Sequence, residues 1–196
     1  MKHLKYLSLV LAIVLMSACK SQNAVASRSE VPQTPGPPEA PQIPTSQKTP
    51  QPDMLTGPAE RRELQTGSFG SWFNPSYSEY SVDQSLVEEL KPMLQDVEIT
   101  LFMGTWCGDS MRETPRIYKI LDAAGKTQDI ELITVDRAKT TPQGLEEGKD
   151  IKRVPTLILS KDGKELGRIV EYPIESLEAD MLKILKGEPY KHAYAD

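Results

Sequence analysis

Cysteine and histidine are scarce in this chain: its 196 residues hold two of each, Cys19, Cys107, His3 and His192. A structural zinc site takes about four such ligands, so no metal site is expected. Two cysteines are too few for a disulfide framework. A Cys–His catalytic pair would have to use His192, far along the C-terminal tail. The formal net charge is −5, with acids and bases mixed along the chain and no basic stripe, so nucleic acid is not an expected partner. The apolar run at 7–16 is shorter than the about 20 residues that a membrane-spanning helix needs. Nothing in the residues calls for a cofactor.

What is present begins with an address. Met1-Lys-His-Leu-Lys-Tyr is a short basic start, and the apolar run follows it, which is the pattern of an export signal. Next comes Leu15-Met16-Ser17-Ala18-Cys19, small residues just ahead of a cysteine. It resembles a lipobox, with Met16 where Leu, Val or Ile is more usual, and implies a bacterial lipoprotein lipidated on Cys19. Ala24-Val25-Ala26 offers an ordinary cleavage site as the alternative. Either way Cys19 is capped or removed, and Cys107 is the single thiol of the mature protein. The expected location is the cell envelope, lipid-anchored and facing the periplasm or the exterior, with the outer membrane preferred.

From Lys20 the composition turns to Pro, Gln, Ser, Thr and Ala, with Pro32, Pro35, Pro37, Pro38, Pro41, Pro44, Pro50 and Pro52 in no strict period. Such a stretch buries too little apolar surface to offset its ordering entropy, and proline biases it toward extended segments. About 40 residues of this kind reach ~35 Å on average. The reading is a signal peptide over 1–18, a disordered tether over 19–59, an aromatic-rich extension over 60–82 and a folded domain over 83–196. Phe69, Trp72, Phe73, Tyr77 and Tyr80 in the extension are taken as anchors packed on the domain rather than as a binding platform.

Within the domain, Asp83 is a fair N-cap for a helix to about Leu90. Val97 to Met103 alternates and then turns wholly apolar, as a buried strand does. Gly104-Thr105-Trp106-Cys107-Gly108 is a turn, and a helix runs from it to Ala124, with Gly125 as its C-terminal cap. Ile130–Val135 is a second strand, 137–150 a polar loop or short helix, and Thr156–Leu159 a third strand. Lys161-Asp162-Gly163-Lys164 turns into a fourth strand at 166–172, and a helix over 174–186 closes the chain. The first two strands are joined through a helix and should be parallel; the last two are joined by a tight turn and should be antiparallel. The fold class is α/β, a mixed central sheet with helices on both faces.

Trp106-Cys107-Gly108-Asp109-Ser110 sits where a strand gives way to a helix N-terminus. Unpaired N–H groups and the positive end of the helix dipole favour a thiolate there, and the thiolate is the reactive form. Asp109 opposes this by like-charge repulsion, which Arg112 and Arg116 offset. The pentapeptide resembles the Trp-Cys-Gly-x-Cys motif of the thioredoxin family. Pro115, eight residues after Cys107, matches that family's helix proline, Val154-Pro155-Thr156 looks like its cis-proline loop, and Lys161–Lys164 with Gly167-Arg168 resembles its closing hairpin. The resemblance covers about residues 83–187 and implies a thioredoxin-like fold. It also implies Cys107 as attacking nucleophile, Pro155 in cis across the groove from it, the Val154 backbone pairing with a bound peptide, and Trp106 and Thr156 beside the site. Two departures stand out. Ser110 replaces the second cysteine, and Leu101 replaces the buried acid six residues before the first. Ser110 caps the helix through a Ser110–Glu113 box or donates to the Cys107 sulfur. The function implied is a membrane-tethered monothiol protein that forms mixed disulfides with thiol or disulfide partners in the envelope, an external thiol acting as resolver. The alternative is a redox-inactive module that holds extended peptides near Pro155.

Overall fold

The computed structural model describes residues 54–126 and 130–195. The signal peptide, Cys19 and the proline-rich stretch to residue 53 lie outside the described residues. Among the described residues no helix is long and apolar enough to cross a membrane.

The chain order is β1 (Gly57–Ala59), α1 (Arg61–Leu64), α2 (Gly67–Glu79), α3 (Gln84–Met93), β2 (Glu98–Met103), α4 (Gly108–Ala123), β3 (Ile130–Thr134), β4 (Thr156–Lys161), β5 (Lys164–Val170) and α5 (Leu177–Lys186). The sheet runs β1-β3-β2-β4-β5. As the connections imply, β2 and β3 are parallel through α4, and β4 and β5 are antiparallel across the Lys161–Lys164 turn. The central strand β2 is flanked by β3 and β4, and its C-terminal end delivers the Gly104–Cys107 turn into α4.

Alternation along the strands sorts the sheet's two faces. Ile99, Leu101, Met103, Leu132, Leu157, Leu159 and Ile169 face one way, into a core to which all five helices contribute, through Leu64, Phe73, Leu90, Ile117 and Met181 among others. The opposite face carries Phe102, Ile133, Val135, Val154 and Ile158. Here the structure differs from the expectation of helices on both faces: the cover is the β3–β4 connection, laid down through Leu145 and Ile151. That connection contains Pro142 and has positive φ at Lys139, Gly144, Gly148 and Asp150, which no α-helix accommodates.

Two departures concern the N-terminal side. Strand β1 falls inside the stretch read as tether, pairing antiparallel with β3 from Gly57↔Thr134 to Ala59↔Leu132. Proline is tolerated at Pro58 because β1 is an edge strand. The extension at 60–82 is largely helical. Helix α2 contains Gly70 and Pro75, both poor helix residues, and tertiary packing overrides them. Phe73 is fully buried, stacked on Tyr77 with centroids 6.2 Å apart and tilted against Tyr118 at 5.9 Å. Gly70 is required by closeness: a Cβ there would stand 2.6 Å from the Gln65 carbonyl oxygen. Arg61 of α1 lies over the rings of Tyr77 and Tyr118 and pairs with Asp122 at 2.7 Å, while the Tyr77 hydroxyl donates to the same carboxylate at 2.6 Å. Burial pushes the Tyr118 phenol up to about 12. Thus α1 and α2 are riveted to α4 by aromatic packing and one charged clamp.

Candidate active site

Cys107 is the N-cap of α4, with extended backbone at φ −97° and ψ 125°. Its N–H donates to the Gly104 carbonyl at 2.9 Å, and its carbonyl accepts the Met111 N–H that opens the helix. The side chain does not cap. It is half-buried, and the thiol donates to the Val154 carbonyl at 3.2 Å. The Val154–Pro155 peptide is cis. The Pro155 carbonyl accepts the Glu171 N–H at 2.7 Å, tying this loop to the end of β5.

The four residues expected around the sulfur have different fates. Trp106 is half-exposed beside Cys107, its indole N–H donating to the Val135 carbonyl at 2.8 Å. Val154 is at the site, but its carbonyl is already engaged by the thiol. Pro155 is buried. Thr156 is a structural residue: it is buried, and its hydroxyl donates to the Arg153 carbonyl at 2.7 Å to close the proline turn. Leu101, where the family often has an acid, is wholly buried in the apolar core.

Ser110 corrects the sequence reading. It lies in the first turn behind an N-cap that is Cys107, so it is not the cap, and its hydroxyl is not bonded to the Cys107 sulfur. Fully buried, its Oγ accepts the Gly104 N–H at 3.1 Å. Gly104 in turn makes room for the tryptophan, since a Cβ there would lie 2.6 Å from Cε2 of Trp106. Ser110 is therefore a positioning residue: it pins the turn that seats Trp106 and Cys107. The residue pattern Gly-Thr-Trp-Cys carries no sign of this bond, because it spans six positions and depends on the fold of the turn.

Around the helix start, Arg112 bonds Asp109 at 2.7 Å and Glu113 at 2.6 Å. Its guanidinium is held above the usual arginine range chiefly by the Glu113 hydrogen bond. Arg112 thus neutralises Asp109, as the sequence suggests, and Arg116 reaches Glu113 instead. Facing the site from the β3–β4 connection, Asp136 is held below the usual carboxylate range by the Thr140 N–H.

A single cysteine at a strand–helix junction, set against a cis-proline loop on a five-stranded mixed sheet, defines the thiol-redox class of α/β proteins. The chain belongs to the thioredoxin family: the family model for thioredoxin matches residues 72–183. Thioredoxins of Listeria monocytogenes and Listeria innocua are each 31% identical to it over 81 residues, 41% of this chain and 75% of theirs. Among solved structures, a protein of unknown function from Pseudomonas aeruginosa is similar in fold, with a TM-score of 0.52 at 16% identity, covering 67% of this chain and 93% of that one. The matched region takes in α2 from Trp72 onward, so part of the aromatic extension belongs to the family domain. Thiols and disulfides in general are the chemistry of such a site.

Proposed function

We propose that the protein is a membrane-tethered monothiol member of this family, which captures envelope partners that carry a disulfide as mixed disulfides on Cys107. The observation that carries the reading is the Cys107 thiol at the start of α4, 3.2 Å from the Val154 carbonyl, with a buried serine where dithiol relatives have their second sulfur. The Cys107 thiolate attacks one sulfur of a partner disulfide; a new S–S bond forms, the old one breaks, and the departing thiolate takes the electron pair and a proton from solvent. Ser110 has no sulfur with which to continue. An external thiol attacks the mixed disulfide, leaves with the partner's sulfur as a new disulfide, and returns Cys107 reduced. No cofactor enters either step.

The tether reading rests on the lipobox at Cys19 and the proline-rich stretch after it. Two results test the whole. The full chain incubated with a disulfide-bearing protein should yield adducts on electrophoresis without reductant, and Cys107→Ser should yield none. A natural chain that forms no adducts overturns the redox reading in favour of a peptide-holding module. Cys19→Ser should move the protein from the membrane to the soluble fraction; unchanged membrane association overturns the lipid anchor.

A further inference from the structure

One cleft beside the thiol is used by none of this chemistry. It lies between α2 and the Trp106 turn, is about 790 Å³ in volume, and is lined chiefly by Met54, Phe69, Trp72, Trp106, Met111 and Arg137. That volume lies in the range of pockets that enclose small ligands or short peptide stretches. Phe69 stands outside the hydrophobic core, and Trp72 packs against it with only part of its ring. Phe73 and Tyr77 bind the helix to α4, whereas Phe69 and Trp72 stand half-exposed, edge to face at 6.4 Å. Met54 is 45% exposed at the rim. It is held there because the next residue, Leu55, donates its N–H to the Thr105 hydroxyl at 3.3 Å, within the active-site turn. Two methionines and three aromatic rings make an adaptable apolar surface.

The mouth of the cleft is cationic. Arg137 lies 5.1 Å from the centroid of the Trp106 ring and Lys139 5.9 Å from it. Every other arginine among the described residues is paired with a carboxylate. Arg137 has no such partner among the described residues. The nearby acid, Asp136, spends both carboxylate oxygens on the Thr140 N–H and hydroxyl.

We infer that this cleft is the specificity site for the captured protein, and that it takes an extended segment carrying a bulky apolar side chain next to a carboxylate. Trp106 is a wall of the cleft and the chain neighbour of Cys107, whose thiol faces the Val154 carbonyl, so a partner joined to that sulfur has the cleft within reach of its adjoining residues. The apolar side chain is buried against Trp72 and Phe69, and the carboxylate pairs with Arg137 over the Trp106 face. In its use this site rests on the mixed-disulfide reading; its binding is measured without it.

The test uses the reduced full chain and cysteine-free peptides of glycine and serine that carry a central Phe-Glu pair, with Ala-Glu and Phe-Lys peptides as comparisons. Protein tryptophan fluorescence reports binding. The Phe-Glu peptide should bind at least about ten-fold more tightly than either comparison, a difference of about 1.4 kcal/mol. Trp72→Ala should remove the preference for Phe over Ala, and Arg137→Glu should reverse the preference for Glu over Lys. Arg137 is exposed, so its replacement leaves the fold intact. Equal binding of the three peptides, unaltered preferences in both variants, or a cleft filled by a second copy of the chain in sedimentation overturns the inference. Reaction of the natural chain with a small neutral disulfide, 2,2′-dithiodipyridine, is read separately. Its failure counts against Cys107 as nucleophile and leaves the peptide result to decide the cleft.

Discussion

Ser110→Cys should convert persistent Cys107 adducts into a dithiol couple that turns over. On the proposed function the mixed disulfide of the natural chain waits for an outside thiol. A sulfur at position 110, three residues on along the same helix start, attacks intramolecularly, and effective molarities for well-oriented pairs are so high that the adduct lifetime should fall by at least about 100-fold. Catalytic reduction of a protein disulfide, followed with dithiothreitol as electron source, should appear together with that loss. The gain is limited by Leu101, which provides no acid near the second sulfur. It also has a structural cost. The Ser110 hydroxyl accepts the Gly104 N–H in a fully buried site, and sulfur is a weak acceptor, so the variant should lose about 1 kcal/mol of stability. Ser110→Ala separates the two effects: it leaves the Gly104 N–H unpaired, should lose about 1–3 kcal/mol, and should keep its adducts. Adducts as long-lived in Ser110→Cys as in the natural chain would mean that Cys107 and position 110 do not form a working pair.

Phe73→Ala tests whether the aromatic extension is part of the folding unit. Phe73 is fully buried among Trp72, Tyr77 and Tyr118, and truncation there opens a cavity between α2 and α4. Such changes cost about 3–5 kcal/mol. For a domain of this size that is a fall in melting temperature of roughly 10–20 °C. The transition should remain single, because α2 shares its core with the sheet. A loss under about 1 kcal/mol in urea unfolding would show instead that α1 and α2 are an appendage. The cleft beside Trp106 would then have one wall free to move, so the same variant links stability to partner selection.

Much of the site was legible because it is local in sequence. The apolar run into Met103, the Trp106–Ser110 pentapeptide and Pro115 mark a strand, a turn and a helix whose order alone brings a cysteine to a helix N-terminus. Val154-Pro155 comes to the same place because β4 pairs beside β2, with Phe102 opposite Thr156. Strand β1 escaped because three residues, Gly-Pro-Ala, carry no alternation; their pairing with β3 depends on an edge that exists only once β3 is in the sheet. Helix α2 escaped because Gly70 and Pro75 argue against it locally, and only burial of Phe73 and Tyr77 against α4 outweighs that.

The boundary between the two kinds of knowledge follows the range of the forces. From sequence alone came the α/β order, the parallel and antiparallel joins, and a cysteine at 107 with serine at 110, since these depend on residue identity and on periodicities a few positions long. Only the tertiary structure decided that Ser110 serves Gly104 rather than the helix or the sulfur, and that Thr156 turns inward. It alone set Phe69 and Trp72 opposite Trp106. Each of these depends on which polar groups folding leaves buried and in need of a partner, or on which surfaces it brings face to face across 30 residues or more, and neither is written in any short stretch of chain.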